Sequence, residues 1–205
     1  MLGTEEKGEC YVCTVKPWKE MPKGLTSMYD TLSDTLKEYQ CRGMISLEAR
    51  VLKKKFYLQD PCMRFGSPPG ELEMNMIKNL PDIFWYGAEG VLIEPEYDGK
   101  YGFMLNLHSD WADKHPLMIA YPEKYHKNIK FRYDSLFDGH TWILPQGAGP
   151  RVAAVVTNGN NLDDCFEEAK EISSQMKGIQ LEAFTRSYPI IMEKIDKFKD
   201  WGIKF

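Results

Sequence analysis

Residues 151–157, Arg-Val-Ala-Ala-Val-Val-Thr, form a nearly continuous apolar run. Such a run does not alternate between core and water, so it suits a buried strand. The turn Asn158-Gly159-Asn160 follows it. Leu162–Lys177 then places Leu162, Phe166, Ala169, Ile172 and Met176 on one face of an amphipathic helix, and Gly178 is expected to stop it. A last helix is expected over Tyr188–Trp201. A buried strand between helices makes this an α/β (α+β) chain.

Upstream, Met1–Gly8 is polar and reads as frayed. Cys10–Lys16 alternates as a strand does. Pro17–Leu25 is loop. Thr26–Gln40 carries Met28, Leu32, Leu36 and Tyr39 at helical spacing, with Thr26 or Ser27 as N-cap and Gly43 as its end. Glu71–Leu80 reads as a helix with Leu72, Met76 and Ile77 inward, capped by Ser67. Pro81–Glu89 reads as a second short helix. Val91–Lys100, with Pro95 and Gly99, marks a change of unit, so domains are expected over 1–90 and 91–205. Beyond it come short strands over Tyr101–Leu107, Leu117–Tyr121, Ile129–Tyr133 and Thr141–Leu144. Asp138-Gly139 signals a hairpin between the last two.

The chain has 205 residues and a formal net charge of -4. That charge argues against a general nucleic-acid binder. No apolar run reaches membrane-spanning length and no signal pattern opens the chain, so no membrane contact and a cytoplasmic location are expected. Cys10, Cys13, Cys41, Cys62 and Cys165 are odd in number and scattered, unlike a disulfide framework. Cys10-x-x-Cys13 invites a zinc or redox reading. On a strand, though, an offset of three points to opposite faces, which favours simple packing. His108-Ser109-Asp110 has the residue types of a hydrolytic triad, but adjacency is not convergence. His108, His115, His126 and His140 read as surface or loop residues. Phe84-Trp85-Tyr86 reads as packed core rather than a purine site.

Chemistry concentrates around residue 60. Met44–Leu52 and Lys55–Asp60 read as two strands joined by Lys53-Lys54-Lys55. Such a hairpin carries Glu48 and Asp60 to one sheet edge, with Arg64 and the turn Gly66–Pro69 just beyond. Two acids and a guanidinium suit Mg²⁺ and a phosphate: hard oxygens take the metal and Arg takes the anion. A solvated hairpin with ordinary surface acids fits the same spacing.

Two pieces of the chain together resemble the C-terminal half of an ATP-grasp ligase, and more closely the glycinamide ribonucleotide synthetase (phosphoribosylamine–glycine ligase) family and related phage-type proteins. The first is Gly43-Met44-Ile45-Ser46-Leu47-Glu48, then Phe56-Tyr57-Leu58-Gln59-Asp60, then Cys62-Met63-Arg64-Phe65-Gly66-Ser67-Pro68. The second is Arg151–Asn160 with the helix after it. The resemblance implies part of an ATP-grasp lobe, an antiparallel sheet with helices, followed by a small α+β domain. It implies ATP-dependent joining of a carboxylate to an amine through an acylphosphate, within purine biosynthesis, with ATP and Mg²⁺ as cofactors and a small-molecule substrate. Carried over by position, Glu48, Asp60 and Cys62 take the metal-ligand places and Arg64 the phosphate contact. Cys62 stands where the family has Asn, a soft sulfur for a hard amide oxygen. The family's N-terminal domain and adenine-holding lobe have no counterpart, except that Glu9–Lys16 is comparable to that lobe's last strand. The chain therefore reads as a fragment, or as one subunit beside a complementing chain that carries the N-terminal half. The alternative is a non-catalytic binding or assembly module derived from the fold.

Overall fold

The computed structural model describes residues 1–145, 147 and 149–205. Its centre is an antiparallel sheet in the order β1 (Leu2–Glu6), β2 (Cys10–Thr14), β5 (Tyr101–His108), β10 (Arg151–Gly159), β7 (Ile129–Phe131). A short strand, β11 (Glu182–Ala183), pairs with the end of β5 beyond β2. The apolar run of residues 152–156 is buried throughout, as a strand between two neighbours and two covered faces demands.

One sheet face packs on α4 (Leu162–Ser174) and α5 (Ser187–Asp200). Phe103, Leu105 and Val155 meet Cys165, Ala169, Ile172, Tyr188 and Ile191 there. The Phe166 and Tyr188 rings stack at 4.0 Å, and Phe103 sets its edge against both. The other face holds Cys13, Met104, Ala154 and Val156 under Leu72 and Met76 of α2 (Gly70–Met76). Gly102 lets α2 sit close, because a Cβ there would lie 2.5 Å from Met76 Sδ. Cys10 and Cys13 fall in opposite cores, as their strand offset requires, and both are free thiols.

A second sheet, β6 (Leu117–Ile119), β9 (His140–Ile143) and β8 (Asp134–Phe137), adds Leu117, Ile119 and Ile143 to the larger core. Among the described residues the hairpin β3 (Ser46–Leu52) and β4 (Lys55–Cys62) pairs only with itself. It leans on α1 (Lys23–Glu38), where Phe56 lies so close to Gly24 that a Cβ would fall 2.1 Å from the ring. The central sheet takes strands from both sides of residue 90.

Several expectations are corrected. Met1–Gly8 is not frayed: Leu2 and Glu6 are buried in β1, and Lys7 and Gly8 turn the chain with φ of 48° and 70°. That pair of positive φ values suits the twist of a tight hairpin. α1 starts after Pro22, not at a Thr26 or Ser27 cap. It ends at Glu38, and Gln40 (φ 50°) turns the chain just beyond, where Cys41 N–H donates to Leu36 O at 2.9 Å, so Gly43 is not its stop. Ser67 caps nothing on α2, whose first turn follows Pro69, and Ile77 has left the helix to bridge Tyr97. Asp138-Gly139 joins β9 to β8, a strand the sequence hid because all four of its residues are exposed. α4 ends at Ser174, with Gln175 as its C-cap, before Gly178.

Phe84, Trp85 and Tyr86 lie on α3 (Leu80–Ala88), which buries no residue, and Trp85 is 71% exposed rather than packed. His108 is not a loop residue: it ends β5 half-buried, with its ring edge-on to Phe184. Ser109 Oγ is turned to Ile179 O at 2.8 Å, so His108-Ser109-Asp110 forms no relay. Among the described residues no helix is long and apolar enough to cross a membrane.

Candidate metal and phosphate site

The hairpin turns at Lys53-Lys54, with φ of 46° and 70°. In β3, Leu47, Ala49 and Val51 are half-buried while Glu48, Arg50 and Leu52 are exposed. Val51 pairs with Phe56 and Ala49 with Leu58, which sets the apolar face against α1. Regular pairing would put Gln59 opposite Glu48 and send Asp60 to the Phe56 and Leu58 face. It does not, because the register slips between Glu48 and Ala49 and pairs Glu48 with Asp60. One extra residue in β4 therefore turns Asp60 onto the exposed face beside Glu48. Re-aiming a side chain is what a β-bulge does.

Directly opposed residues in an antiparallel pair share a face, with Cβ atoms about 5 Å apart. Glu48 and Asp60 are thus near neighbours facing solvent. Arg50 Nη2 lies 3.4 Å from Glu48 Oε1, an exposed pair of small worth. Cys62 Sγ donates to Asp60 Oδ2 at 3.0 Å. That hydrogen bond holds the thiol proton and pushes its pKa up. A metal takes a thiolate, so a thiol held this way is a poor ligand, and its sulfur is soft besides. The carboxylate pair fits Mg²⁺, which commonly uses one or two carboxylates and completes its shell with water and phosphate oxygens. Among the described residues no group of three or more His, Cys, Asp and Glu side chains gathers as a metal set.

Arg64 follows the strand end. Its Nη1 donates to Phe65 O at 2.9 Å and its carbonyl accepts from Ser46 Oγ at 3.0 Å. The residue is exposed, so the remaining guanidinium donors face outward. The loop beyond is fixed from α2: Gly66 N–H donates to Glu73 Oε2 at 3.1 Å. Gly66 has no room for a side chain, since a Cβ would fall 2.5 Å from Pro69 Cγ. Burial raises the Glu73 pKa, against the lowering effect of the Gly66 N–H. Sequence reasoning missed Glu73, because an acid in a helix's first turns looks like an ordinary solvated one. Phe65 packs edge-on to Phe84 at 6.2 Å, which joins the loop to α3.

No protein-family model and no curated protein matches this sequence. Solved structures do match. A phosphoribosylamine–glycine ligase from Thermotoga maritima superposes with a TM-score of 0.70 at 18% identity, over 87% of this chain and 46% of that one. The fold is that of an ATP-grasp ligase. A biotin carboxylase from Campylobacter jejuni gives a TM-score of 0.58 at 14% identity, over 94% of this chain and 44% of that one. The Kluyveromyces lactis urea amidolyase gives 0.51 at 12% identity, over 96% of this chain and 12% of that one. The chain spans less than half the length of each of these three. At such identities the likeness speaks for the ATP-grasp fold, a mixture of helices and antiparallel sheet, and for that alone.

Proposed function

We propose that this chain supplies the metal and phosphate side of an ATP-dependent carboxylate–amine ligase. The observation that carries the reading is the bulge that brings Asp60 opposite Glu48 on an open sheet face, with Arg64 and a braced glycine loop next to it. Glu48 and Asp60 would hold Mg²⁺, which supplies charge neutralisation at the β- and γ-phosphates. Arg64 holds the transferring phosphoryl group or the acylphosphate through its fork of donors. Cys62 orients Asp60 rather than binding the metal.

The finer reading is ligation of the phosphoribosylamine–glycine kind, in purine biosynthesis in the cytoplasm, with ATP and Mg²⁺ as cofactors. It rests on the likeness to the Thermotoga maritima phosphoribosylamine–glycine ligase and on the sequence resemblance. The adenine-holding surface is assigned to further polypeptide, most simply a complementing chain with the N-terminal half of the fold.

The test is divalent-metal binding by the protein, followed with Mn²⁺ as a spin probe. Glu48→Gln and Asp60→Asn should each abolish the bound fraction, while Cys62→Ala leaves it and Cys62→Asn increases it. Unchanged Mn²⁺ binding in Glu48→Gln and Asp60→Asn would sink the metal site. A second reading, a module that kept the fold and lost the chemistry, is favoured by Cys62 at the amide position. It predicts no Mn²⁺ binding in the wild type or in Cys62→Asn.

A further inference from the structure

The small sheet of β6, β9 and β8 buries one face and bares the other. Leu117, Ile119 and Ile143 point into the larger core. Successive residues of a strand alternate between faces, so Met118 and Trp142, paired with each other, point away from it. Ser135 is opposite Trp142, and Phe137 is opposite His140 two residues further along both strands, so these too lie on the outer face. The pairing runs on past the strand ends: Leu144 N–H donates to Tyr133 O at 2.9 Å, and Leu144 extends the outer row beyond Trp142. Phe137 is 71% exposed, Met118 is 40% exposed, and Trp142 belongs to neither core. The face of Met118, Ser135, Phe137, His140, Trp142 and Leu144 holds no Lys, Arg, Asp or Glu.

Side chains of this size together present roughly 500 Å² to solvent, near the upper end of what a monomer leaves open. Among the described residues β8 pairs with β9 alone, so the sheet also has a free edge. That edge is guarded. It has four residues, and Asp134 and Asp138 bracket Leu136. Pairing two β8 strands antiparallel about Leu136 would set the Asp134 of each copy against the Asp138 of the other. Like charges opposed across strands are destabilising, and short charged edges are how sheets resist strand addition. The outer face has no such guard. It offers no charge to select an oppositely charged partner, and it meets a copy of itself without like-charge repulsion. A twofold axis doubles the buried surface to roughly 1,000 Å², the size at which a specific interface begins.

We propose that this chain forms a twofold homodimer in which the outer faces of two β6–β9–β8 sheets stack, Met118, Phe137 and Trp142 of one copy lying against those of the other. Sheets stacked in this way sit about 10 Å apart with their side chains interdigitated. The dimer uses no residue of the Glu48, Asp60 and Arg64 site, so it and the ligase reading can fail independently.

The experiment is sedimentation velocity of the full chain from about 1 to 100 μM, with a melting curve for each variant. The wild type should pass from monomer to dimer with a dissociation constant of about 10 μM, as a small apolar interface gives. Phe137→Lys and Met118→Lys each bring an unpaired charge to the stacked face and should weaken the dimer about tenfold or more. If Met118→Lys melts early, Phe137→Lys carries the test, because that side chain is already mostly in solvent. Leu92→Lys, at an apolar residue 86% exposed beyond α3, should leave the dimer intact. So should Leu136→Pro. Phe137 and His140 close a two-residue turn as a hydrogen-bonded pair, which leaves the Leu136 N–H pointing off the edge, where proline blocks strand addition and spares the ladder to β9. A wild type that stays monomeric at about 100 μM overturns the dimer and leaves the face to a chain of other sequence. A dimer lost in Leu136→Pro but kept in Phe137→Lys overturns the stacked face in favour of edge pairing. A dimer lost in Leu92→Lys but kept in Phe137→Lys overturns it in favour of α3.

Discussion

The central sheet and the β3–β4 hairpin are both antiparallel, yet they solve different problems. β5 and β10 are covered on both faces, by α4 and α5 on one side and by α2 on the other. The hairpin is covered on one face only, by α1, and its open face carries Glu48, Arg50, Tyr57 and Asp60. Stability is drawn from the first, and candidate chemistry is displayed on the second. Where the two designs meet, each uses one irregular residue to send a charged side chain to a chosen face. The hairpin bulge exposes Asp60, and the β10 bulge turns Arg151 toward α2.

The sharpest way to break that division is to delete buried methyl groups in both regions. Ile172→Ala removes a side chain with no exposure from the interface of α4 and the sheet. It should cost about 2–5 kcal/mol, the range for a core cavity. Val51→Ala, on the half-buried hairpin face, should cost under about 1 kcal/mol. Urea denaturation midpoints with unchanged slopes measure both. Equal losses would mean that the hairpin belongs to the same cooperative core.

The reverse asymmetry is expected for activity. Arg64→Ala should cost roughly 2–4 kcal/mol of transition-state stabilisation, about two to three decades in rate, while leaving the denaturation midpoint alone. Cys62→Ala should change the rate little. The measurement is an ATP-dependent ligase assay on the protein assembled with its adenine-holding lobe. Full activity in Arg64→Ala with none in Cys62→Ala would reverse the roles and point to thiol chemistry.

What the sequence shows about this contrast follows from how local each signal is. The run of residues 152–156 and the stripe Phe166, Ala169, Ile172 carry their own periodicity, so β10 and α4 were readable before any pairing was known. The pair Lys53-Lys54 between two apolar-bearing strands made the hairpin readable too. β1 and β8 were not: Leu2 is the only large apolar residue in the first, and the second is wholly exposed, so only their partners define them. Neither bulge has a local signature. The side of the sheet that Asp60 and Arg151 occupy depends on the strand opposite, as does the Glu71–Arg132 pair across 61 positions. The candidate acids were therefore legible as residues, while the device that brings them together was not.

A smaller effect tests how α4 is anchored. Asn161 Oδ1 accepts from Asp163 N–H at 2.8 Å and Asp164 N–H at 3.2 Å, capping the helix that closes the larger core. Asn161→Ala should cost about 1 kcal/mol. Asn161→Asp should restore most of that, and thermal melts of the two variants would show it. No difference between them and wild type would place the anchoring wholly in the buried face.

The smallest effect concerns Glu73, which couples the covered region to the Arg64 loop. Two influences oppose each other there: burial penalises the charge, and the Gly66 N–H favours it. The Glu73 pKa is raised from 4.5, so burial wins. A raised carboxyl pKa means that the folded state binds the proton more tightly than the unfolded chain does. Its contribution to stability is present below the ordinary value of 4.5 and is lost as pH rises through the folded value. Glu73→Gln keeps an oxygen for the Gly66 N–H and removes the charge. The variant should match wild type in acid and become the more stable of the two toward neutral pH. Melting temperatures across that pH range decide it. If Glu73→Gln instead loses stability as pH rises, the hydrogen bond outweighs burial, and the loop is held by charge rather than by packing.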